Sequence, residues 1–305
     1  MRSRTAEGGR VEERCGIIIV VPDNMPSFAE PAPDLQITSS SASAVSADMV
    51  AWPVFEEDDR DGDLAGAPGA ALAAARLSGE FRGRPYEIMH ERAGEWQTRR
   101  LLLIGCGKRA DFGVERARRV ATAAALAARK ARAPHLAFVM PAGVAPAMAQ
   151  HITDGLTLAS FRNGRYKTGE DEGDRLLAIT IVGGGDEAEV GAAARRGQLI
   201  ADCCNRARAL ADEPGNRLPP RLFAERAIAA LEGSNIKTDV LDEKALEKLG
   251  MGLLLGVGKG SVEPPRLLVM RYEPAHAPAA PVLGLIGKGV TFDTGGISIK
   301  PAEGM

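Results

Sequence analysis

Residues 101–140 read LLLIGCGKRADFGVERARRVATAAALAARKARAPHLAFVM. The run 101–104 is wholly apolar and has the length of a buried strand, and a second such run covers 136–140. Between them, about 114–132, an Ala- and Arg-rich segment predicts a long helix. A strand, a helix and a second strand in this order are typical of the crossover unit of a parallel sheet.

The same alternation continues outward from this stretch. Further strands are predicted at 37–41, 49–55, 176–182, 236–241, 267–272 and 282–286, and further helices at 65–77, 199–210, 220–233 and 243–249. The breaker cluster that includes Pro214 and Gly215 separates two halves. We therefore expect an α/β protein with a disordered extension (1–34), an N-terminal α/β domain with a mostly parallel sheet (35–187), a connecting helix (188–211) and the beginning of a second α/β domain (212–305).

The composition excludes several classes of function. The 38 Lys and Arg residues nearly balance 40 Asp and Glu, and aromatic residues make up 4%, which argues against a dedicated nucleic-acid or membrane-surface binder. The four cysteines form neither a metal pair nor a disulfide framework, since Cys203 and Cys204 are adjacent and the others are isolated. Cysteine usage of this kind predicts a reducing, cytoplasmic setting.

Two motifs suggest nucleotide or nucleic-acid binding, and each has a simpler explanation. Gly105-Cys106-Gly107 follows a strand, but Ala110 stands where a dinucleotide fingerprint has its third glycine, and a tight turn explains the two glycines. The basic helix 114–132 could contact nucleic acid, but a solvated face is the better explanation of its arginines. The acidic run 56–59 predicts a solvated turn.

The chemistry is concentrated in residues 287–301, which read GKGVTFDTGGISIKP and follow the predicted strand 282–286. Catalytic groups and ligands of open α/β sheets gather where strands end. Lys288, Asp293 and Lys300 are the reactive side chains of this loop, and its four glycines allow the backbone to pass close to a bound group.

This segment resembles the signature of the leucyl (cytosol) aminopeptidase family, which are dinuclear peptidases, at every position from 287 to 301. The resemblance also covers DEPGNRLPP (212–220), VLDEKALEKLGMGLLLGVGKGS (240–261) and PPRLLVMRY (264–272). It is close over about 200–305 and loose over the first domain. It implies that 212–305 is the N-terminal part of an α/β catalytic peptidase domain.

The resemblance also implies a role for each reactive side chain. Lys288 matches a lysine that coordinates one metal through a neutral amine, and Asp293 matches a carboxylate that contacts both metals. Lys300 matches a protonated lysine that faces the substrate carbonyl and stabilises the oxyanion. The implied cofactors are two divalent ions, Mn²⁺ or Zn²⁺, which activate the attacking water.

The family completes its site with a further aspartate soon after the position of Met305, and then with an NTDAEGR stretch, neither of which occurs in this sequence. We therefore expect the 305-residue chain to be an inactive fragment. The intact protein is expected to be a cytoplasmic, hexameric aminopeptidase that releases leucine and other apolar N-terminal residues from peptides, without membrane or nucleic-acid partners. The alternatives are a non-catalytic remnant or binding protein of the same fold, since some relatives are thought to act on DNA, and a nucleotide-binding enzyme.

Overall fold

A computed structural model describes residues 30–58, 64, 66–163, 166, 175–275 and 280–303. The chain divides into two compact units, and the boundary falls between Ala209 and Leu210. The expected extension 1–34 lies outside the described residues except for its last five. No helix in the described part of the chain combines the length and apolarity needed to cross a membrane.

The N-terminal unit alternates strands and helices. Its elements are β1 (Asp34–Thr38), β2 (Met49–Phe55), α1 (Ala67–Ser78), β3 (Ile88–Arg92), β4 (Arg100–Gly107), α2 (Val114–Lys130), β5 (His135–Val139), α3 (Ala149–Leu158), β6 (Ala178–Val182) and α4 (Glu187–Ala211). The strands form one sheet in the order β1-β6-β5-β2-β4-β3, in which only the edge pair β3–β4 is antiparallel. The expected mostly parallel α/β sheet is confirmed.

The apolar strands are buried on both faces of this sheet. Leu102 and Ile104 of β4 pack with the alanines of α2 on one face, while Leu101 and Leu103 pack with Leu72 of α1 on the other. Alternate residues of a strand point to opposite faces, so a continuous apolar run provides side chains to both cores.

The chain reverses its direction across the sheet between β2 and β5. From β2 the chain proceeds through α1 to β3 and β4 on one side, and from β5 it proceeds through α3 to β6 on the other. The adjacent strands β2 and β5 therefore form a topological switch point, where the loops that follow the two strands diverge and leave a crevice at their carboxyl ends.

The second unit contains shorter elements. These are α5 (Pro220–Ala230), β7 (Ile236–Leu241), α6 (Glu243–Lys248), α7 (Gly252–Gly258) and β8 (Leu267–Tyr272). Strands β7 and β8 pair antiparallel. The side chain of Asp242 caps α6 by accepting a hydrogen bond from the Ala245 amide at 3.0 Å, as expected for an aspartate at this position.

The prediction of a strand over residues 282–286 is wrong. These residues have no strand conformation in the structure, and Leu285 and Ile286 are largely exposed. A strand requires a neighbour with which to share hydrogen bonds, and among the described residues no strand pairs with this segment. The first predicted strand is also displaced, because β1 starts at Asp34 and ends at Thr38 rather than covering 37–41.

Candidate functional site

The loop of residues 287–301 brings two of the three reactive side chains together. The Lys300 ammonium donates a hydrogen bond to Asp293 Oδ2 at 2.9 Å, and the Gly295 amide donates to Asp293 Oδ1 at 2.9 Å. The Lys300 amide donates to the Thr294 carbonyl at 2.8 Å, which closes the turn. Both side chains of the Lys300–Asp293 ion pair are exposed.

A glycine is required at the centre of this turn. Gly295 has a φ of 87°, and a Cβ atom built on it would lie 2.1 Å from the Ser298 carbonyl oxygen. L residues other than glycine rarely adopt this φ, and the Ser298 carbonyl is part of the backbone and cannot move independently. The GG pair at 295–296 therefore allows the backbone fold-back that brings Lys300 to Asp293.

The charges of the loop favour an ionised aspartate. The hydrogen bond from Lys300 lowers the pKa of Asp293, and the Gly295 amide lowers this pKa further, with a smaller contribution from the charge of Lys288. Among the described residues no hydrogen bond or ion pair joins Lys288 to either partner. The structure thus pairs Asp293 with Lys300, and Lys288 acts on the aspartate only through its charge.

The described residues do not form a complete metal centre. Asp293 offers a carboxylate and Lys288 offers an amine, but the described part of the chain contains no group of three or more His, Cys, Asp or Glu side chains placed to hold an ion. A structural or catalytic zinc site uses at least three protein ligands. The donor set is therefore insufficient for one ion, and still more so for two.

The segment 212–220 packs against the loop, a contact that the sequence analysis did not predict. A Cβ on Gly215 would lie 2.9 Å from the Thr291 carbonyl oxygen and 3.1 Å from the Phe292 Cβ. The nearly buried Glu213 carboxylate pairs with Arg226 of α5 at 3.4 Å. The only signal for this contact was that both segments belonged to the same resemblance.

The glycines of Gly105-Cys106-Gly107 are explained by packing within the N-terminal unit. A Cβ on Gly105 would lie 1.9 Å from the Arg84 carbonyl oxygen, and a Cβ on Gly107 would lie 2.8 Å from the Pro85 side chain. These glycines therefore let the segment before β3 cross close to β4. Their amides donate to the Glu87 and Gly83 carbonyls, each at 2.8 Å, and so are not available to a phosphate.

Several arginines of helix α2 have intramolecular partners. Arg118 binds Asp154 at 2.6 Å, and both Arg118 and Arg119 pair with Glu115. Arg129 is buried and donates to the Ala159 and Phe161 carbonyls. These contacts favour a structural role for the basic helix over nucleic-acid binding.

The chain thus combines an α/β unit built on a mostly parallel sheet with a second unit that carries the loop of Asp293 and Lys300. The N-terminal domain model of the cytosol aminopeptidase family matches residues 53–170, and the catalytic domain model of the same family matches residues 205–305. The chain belongs to the cytosol aminopeptidase family, whose members are metal-dependent aminopeptidases, and the predicted resemblance is confirmed.

Curated relatives agree with this assignment. The chain is 39% identical over 266 residues to a probable cytosol aminopeptidase of Solibacter usitatus, a match that covers 86% of this chain and 53% of the relative. It is 38% identical over 262 residues to one from Koribacter versatilis, covering 77% of this chain and 50% of the relative. The chain therefore spans about half the length of the curated relatives it matches.

Solved structures show the same fold. The bottromycin maturation enzyme BotP in complex with Mn superposes with a TM-score of 0.68 at 28% identity, covering 85% of this chain and 51% of that enzyme. A mutant of tomato leucine aminopeptidase superposes with a TM-score of 0.65 at 22% identity, covering 78% and 51% respectively, and supports the fold alone.

Proposed function

We propose that this chain belongs to a metal-dependent aminopeptidase that releases N-terminal residues, with leucine and other apolar residues preferred, from peptides. The observation that carries this proposal is the match of the family's catalytic domain to residues 205–305, which include the loop that pairs Asp293 with Lys300. The names of the curated relatives support the same activity.

Within this proposal the three loop residues have distinct roles. In a site completed by further ligands, Lys288 and Asp293 would hold two divalent ions, Mn²⁺ or Zn²⁺, and Lys300 would remain an ammonium that faces the substrate carbonyl. Asp293 holds Lys300 in place in the structure at 2.9 Å. A fixed ammonium near a carbonyl stabilises the negative charge that develops on its oxygen. Further metal ligands have to come from residues other than those described.

The proposal extends to the protein's setting. We propose a cytoplasmic protein that forms a homo-hexamer and takes peptides as its partners. The near-neutral net charge of −2 supports neither nucleic acid nor a membrane surface as a partner. Arg118 and Arg119 of α2 form ion pairs within the N-terminal unit, and this also argues against nucleic acid as a partner.

The test compares two polypeptides in a Leu-p-nitroanilide assay with millimolar Mn²⁺ or Zn²⁺. One is the 305-residue chain, and the other continues it with the remaining catalytic-domain residues of a curated relative. We expect no turnover from the first, because its described residues lack a third metal-binding side chain, and metal-dependent turnover from the second. An inactive second polypeptide that is folded and binds metal would instead favour a non-catalytic binding protein of the same fold.

A pair of aspartate variants assigns the activity to the loop. In the active polypeptide, Asp293→Ala should abolish metal-dependent turnover, because a ligand shared by two ions serves both. Asp239→Ala is the matched control, since Asp239 is an exposed aspartate on β7. Turnover by the Asp293 variant within about tenfold of the parent would contradict the assignment.

A further inference from the structure

The N-terminal unit contains a cavity of about 1080 Å³ that the proposed peptidase chemistry does not use. It is lined by the segments that follow four parallel strands, together with parts of β2, α1 and the loop before β4. The lining includes 40–43 after β1, 52–55 within β2 and Asp58 in the loop that follows β2. It also includes 139–144 at the end of β5 and after it, and 182–185 at the end of β6 and after it. The volume of the cavity slightly exceeds the range of about 300–1,000 Å³ that is usual for small-molecule sites.

The cavity lies at the topological switch point of the sheet. Strands β2 and β5 are adjacent, and the connections that follow them lead in opposite directions. In doubly wound α/β sheets, ligands bind in the crevice at the carboxyl ends of the strands at this point. The cavity therefore lies where this class of fold places a ligand.

The cavity wall offers hydrogen-bond donors without partners. The Gly184 and Gly185 amides find no acceptor among the described residues, and their φ angles are 92° and 108°. A Cβ on Gly184 would lie 2.9 Å from the Met140 side chain, so a larger residue would fill this wall. Ser41 and Ser43 add hydroxyl groups, which bond each other at 3.0 Å. Backbone amides and hydroxyls of this kind bind phosphate oxygens.

Arg109, the only positive side chain among the described residues of the lining, is held in a fixed position. Arg109 pairs with Asp58 at 2.8 Å, donates to the Ala142 carbonyl at 2.8 Å and stacks 4.0 Å above the Phe55 ring. About half of its side chain remains exposed. Asp58 is the one carboxylate that the described residues contribute to the lining, and Arg109 neutralises it. The described part of the wall therefore carries no net charge that would repel an anion.

Two aromatic side chains line the remaining wall. Trp52 and Trp96 form a tilted pair with ring centroids 6.1 Å apart and an interplanar angle of 57°. Both are partly exposed. Partly exposed indoles provide a surface on which a planar ring can stack.

We propose that this cavity binds a nucleotide, with its phosphate at the Gly184–Gly185 amides and the serine hydroxyls and its base against the two tryptophans. Unpartnered amides, the Arg109–Asp58 pair and an aromatic wall lie together at the switch point. This combination selects a ligand that is both anionic and planar. The glycines at 105 and 107 play no part in this site, because both are packed against the segment before β3.

Intrinsic fluorescence provides a direct test. The protein contains two tryptophans, and both line the cavity, so ligand binding there is reported without a label. The 305-residue chain is titrated with AMP, adenosine and inorganic phosphate. We expect AMP to saturate the fluorescence change and to bind more tightly than adenosine or phosphate. No saturable change with AMP, or phosphate binding as tightly as AMP, would overturn the proposal.

Variants at one position separate charge from shape. Gly143 lines the cavity with a φ of 75°, and a Cβ on it would meet open space. Asn and Asp tolerate this φ better than other residues and have nearly the same shape. Gly143→Asp should weaken AMP binding about fivefold relative to Gly143→Asn and leave adenosine binding unchanged. Equal AMP affinities for the two variants would show that the phosphate of AMP does not bind near Gly143 in this cavity, and would contradict the proposal.

Discussion

Two alanine substitutions on the same helix should differ clearly in their effect on the stability of the N-terminal unit. Gly197 of α4 contacts α3 so closely that a Cβ would lie 2.0 Å from the Gln150 carbonyl oxygen and 3.1 Å from the Asp154 amide nitrogen. Gly191 of α4 would meet only the flexible guanidinium of Arg195, at 3.2 Å. Gly197→Ala therefore forces two backbones apart, whereas Gly191→Ala displaces the end of one side chain.

The magnitude follows from two terms. Replacing a helical glycine by alanine stabilises the helix by about 0.8–1.0 kcal/mol, and this gain is common to both variants. Overpacking a close contact costs about 1–3 kcal/mol, and this term applies to Gly197→Ala alone. We therefore expect Gly191→Ala to be neutral or slightly stabilising. Gly197→Ala should be less stable than Gly191→Ala by about 1–3 kcal/mol.

Tryptophan fluorescence during urea unfolding measures this difference in the relevant unit, because both tryptophans belong to it. The corresponding difference in Tm is about 2–4 °C per kcal/mol for a domain of this size. If the two variants unfold at the same urea concentration, the helices do not approach each other as the structure shows. Near-native far-UV circular dichroism of both variants is the control for folding.

Three further predictions concern the loop, a buried thiol and a buried ion pair. In the active polypeptide described above, the Lys300→Ala variant should keep its metal content and lose about 10²–10³ in kcat, the usual loss for one oxyanion donor. A lower metal content, measured by inductively coupled plasma analysis, would refute this role of Lys300. Burial raises the pKa of the Cys106 thiol to about 12. At pH 8, dithionitrobenzoate should therefore modify the exposed Cys204 of the native chain but not Cys106. Rapid labelling of both thiols would contradict the structure. Asp154→Ala removes a buried acceptor of Arg118 and should destabilise the unit by about 1–3 kcal/mol. Glu115→Ala removes an exposed acceptor of the same arginine and should change urea unfolding little. Equal effects of the two variants would show that the burial of the acceptor does not matter.

The elements predicted from sequence were those with a strong local signal. The ranges 49–55, 236–241 and 267–272 coincide with β2, β7 and β8, because each is a run of strand-forming residues bounded by polar or breaking residues. Helix α3 was missed, since its buried face includes the polar Thr153 and Asp154. Its burial depends on close contact with α2 at Gly155, where a Cβ would lie 2.2 Å from the Arg118 carbonyl oxygen. Tertiary contacts of this kind leave no periodic pattern in the sequence.

The sequence proposes residues for the candidate site but does not specify their geometry. The resemblance selects Lys288, Asp293 and Lys300, whereas the strand end that also pointed to them is absent from the structure. The 2.9 Å contact between Asp293 and Lys300 depends on the positive φ of Gly295, which a Gly-Gly pair permits but does not require. Strand 282–286 was predicted from apolarity alone, and apolarity does not specify the neighbour that a strand needs.

The order of the strands in the sheet has a consequence for biosynthesis. Among the described strands of its unit, β1 pairs with β6 alone, and β6 is the last of them to leave the ribosome. Until β6 emerges, β1 has no partner, while β2 and β4 can already pair with each other. Strand β1 thus joins the sheet only after β6 has been made, and until then the nascent chain exposes the edge of β5 that pairs with β6, whose residues are largely apolar, as a substrate for chaperones or for premature association.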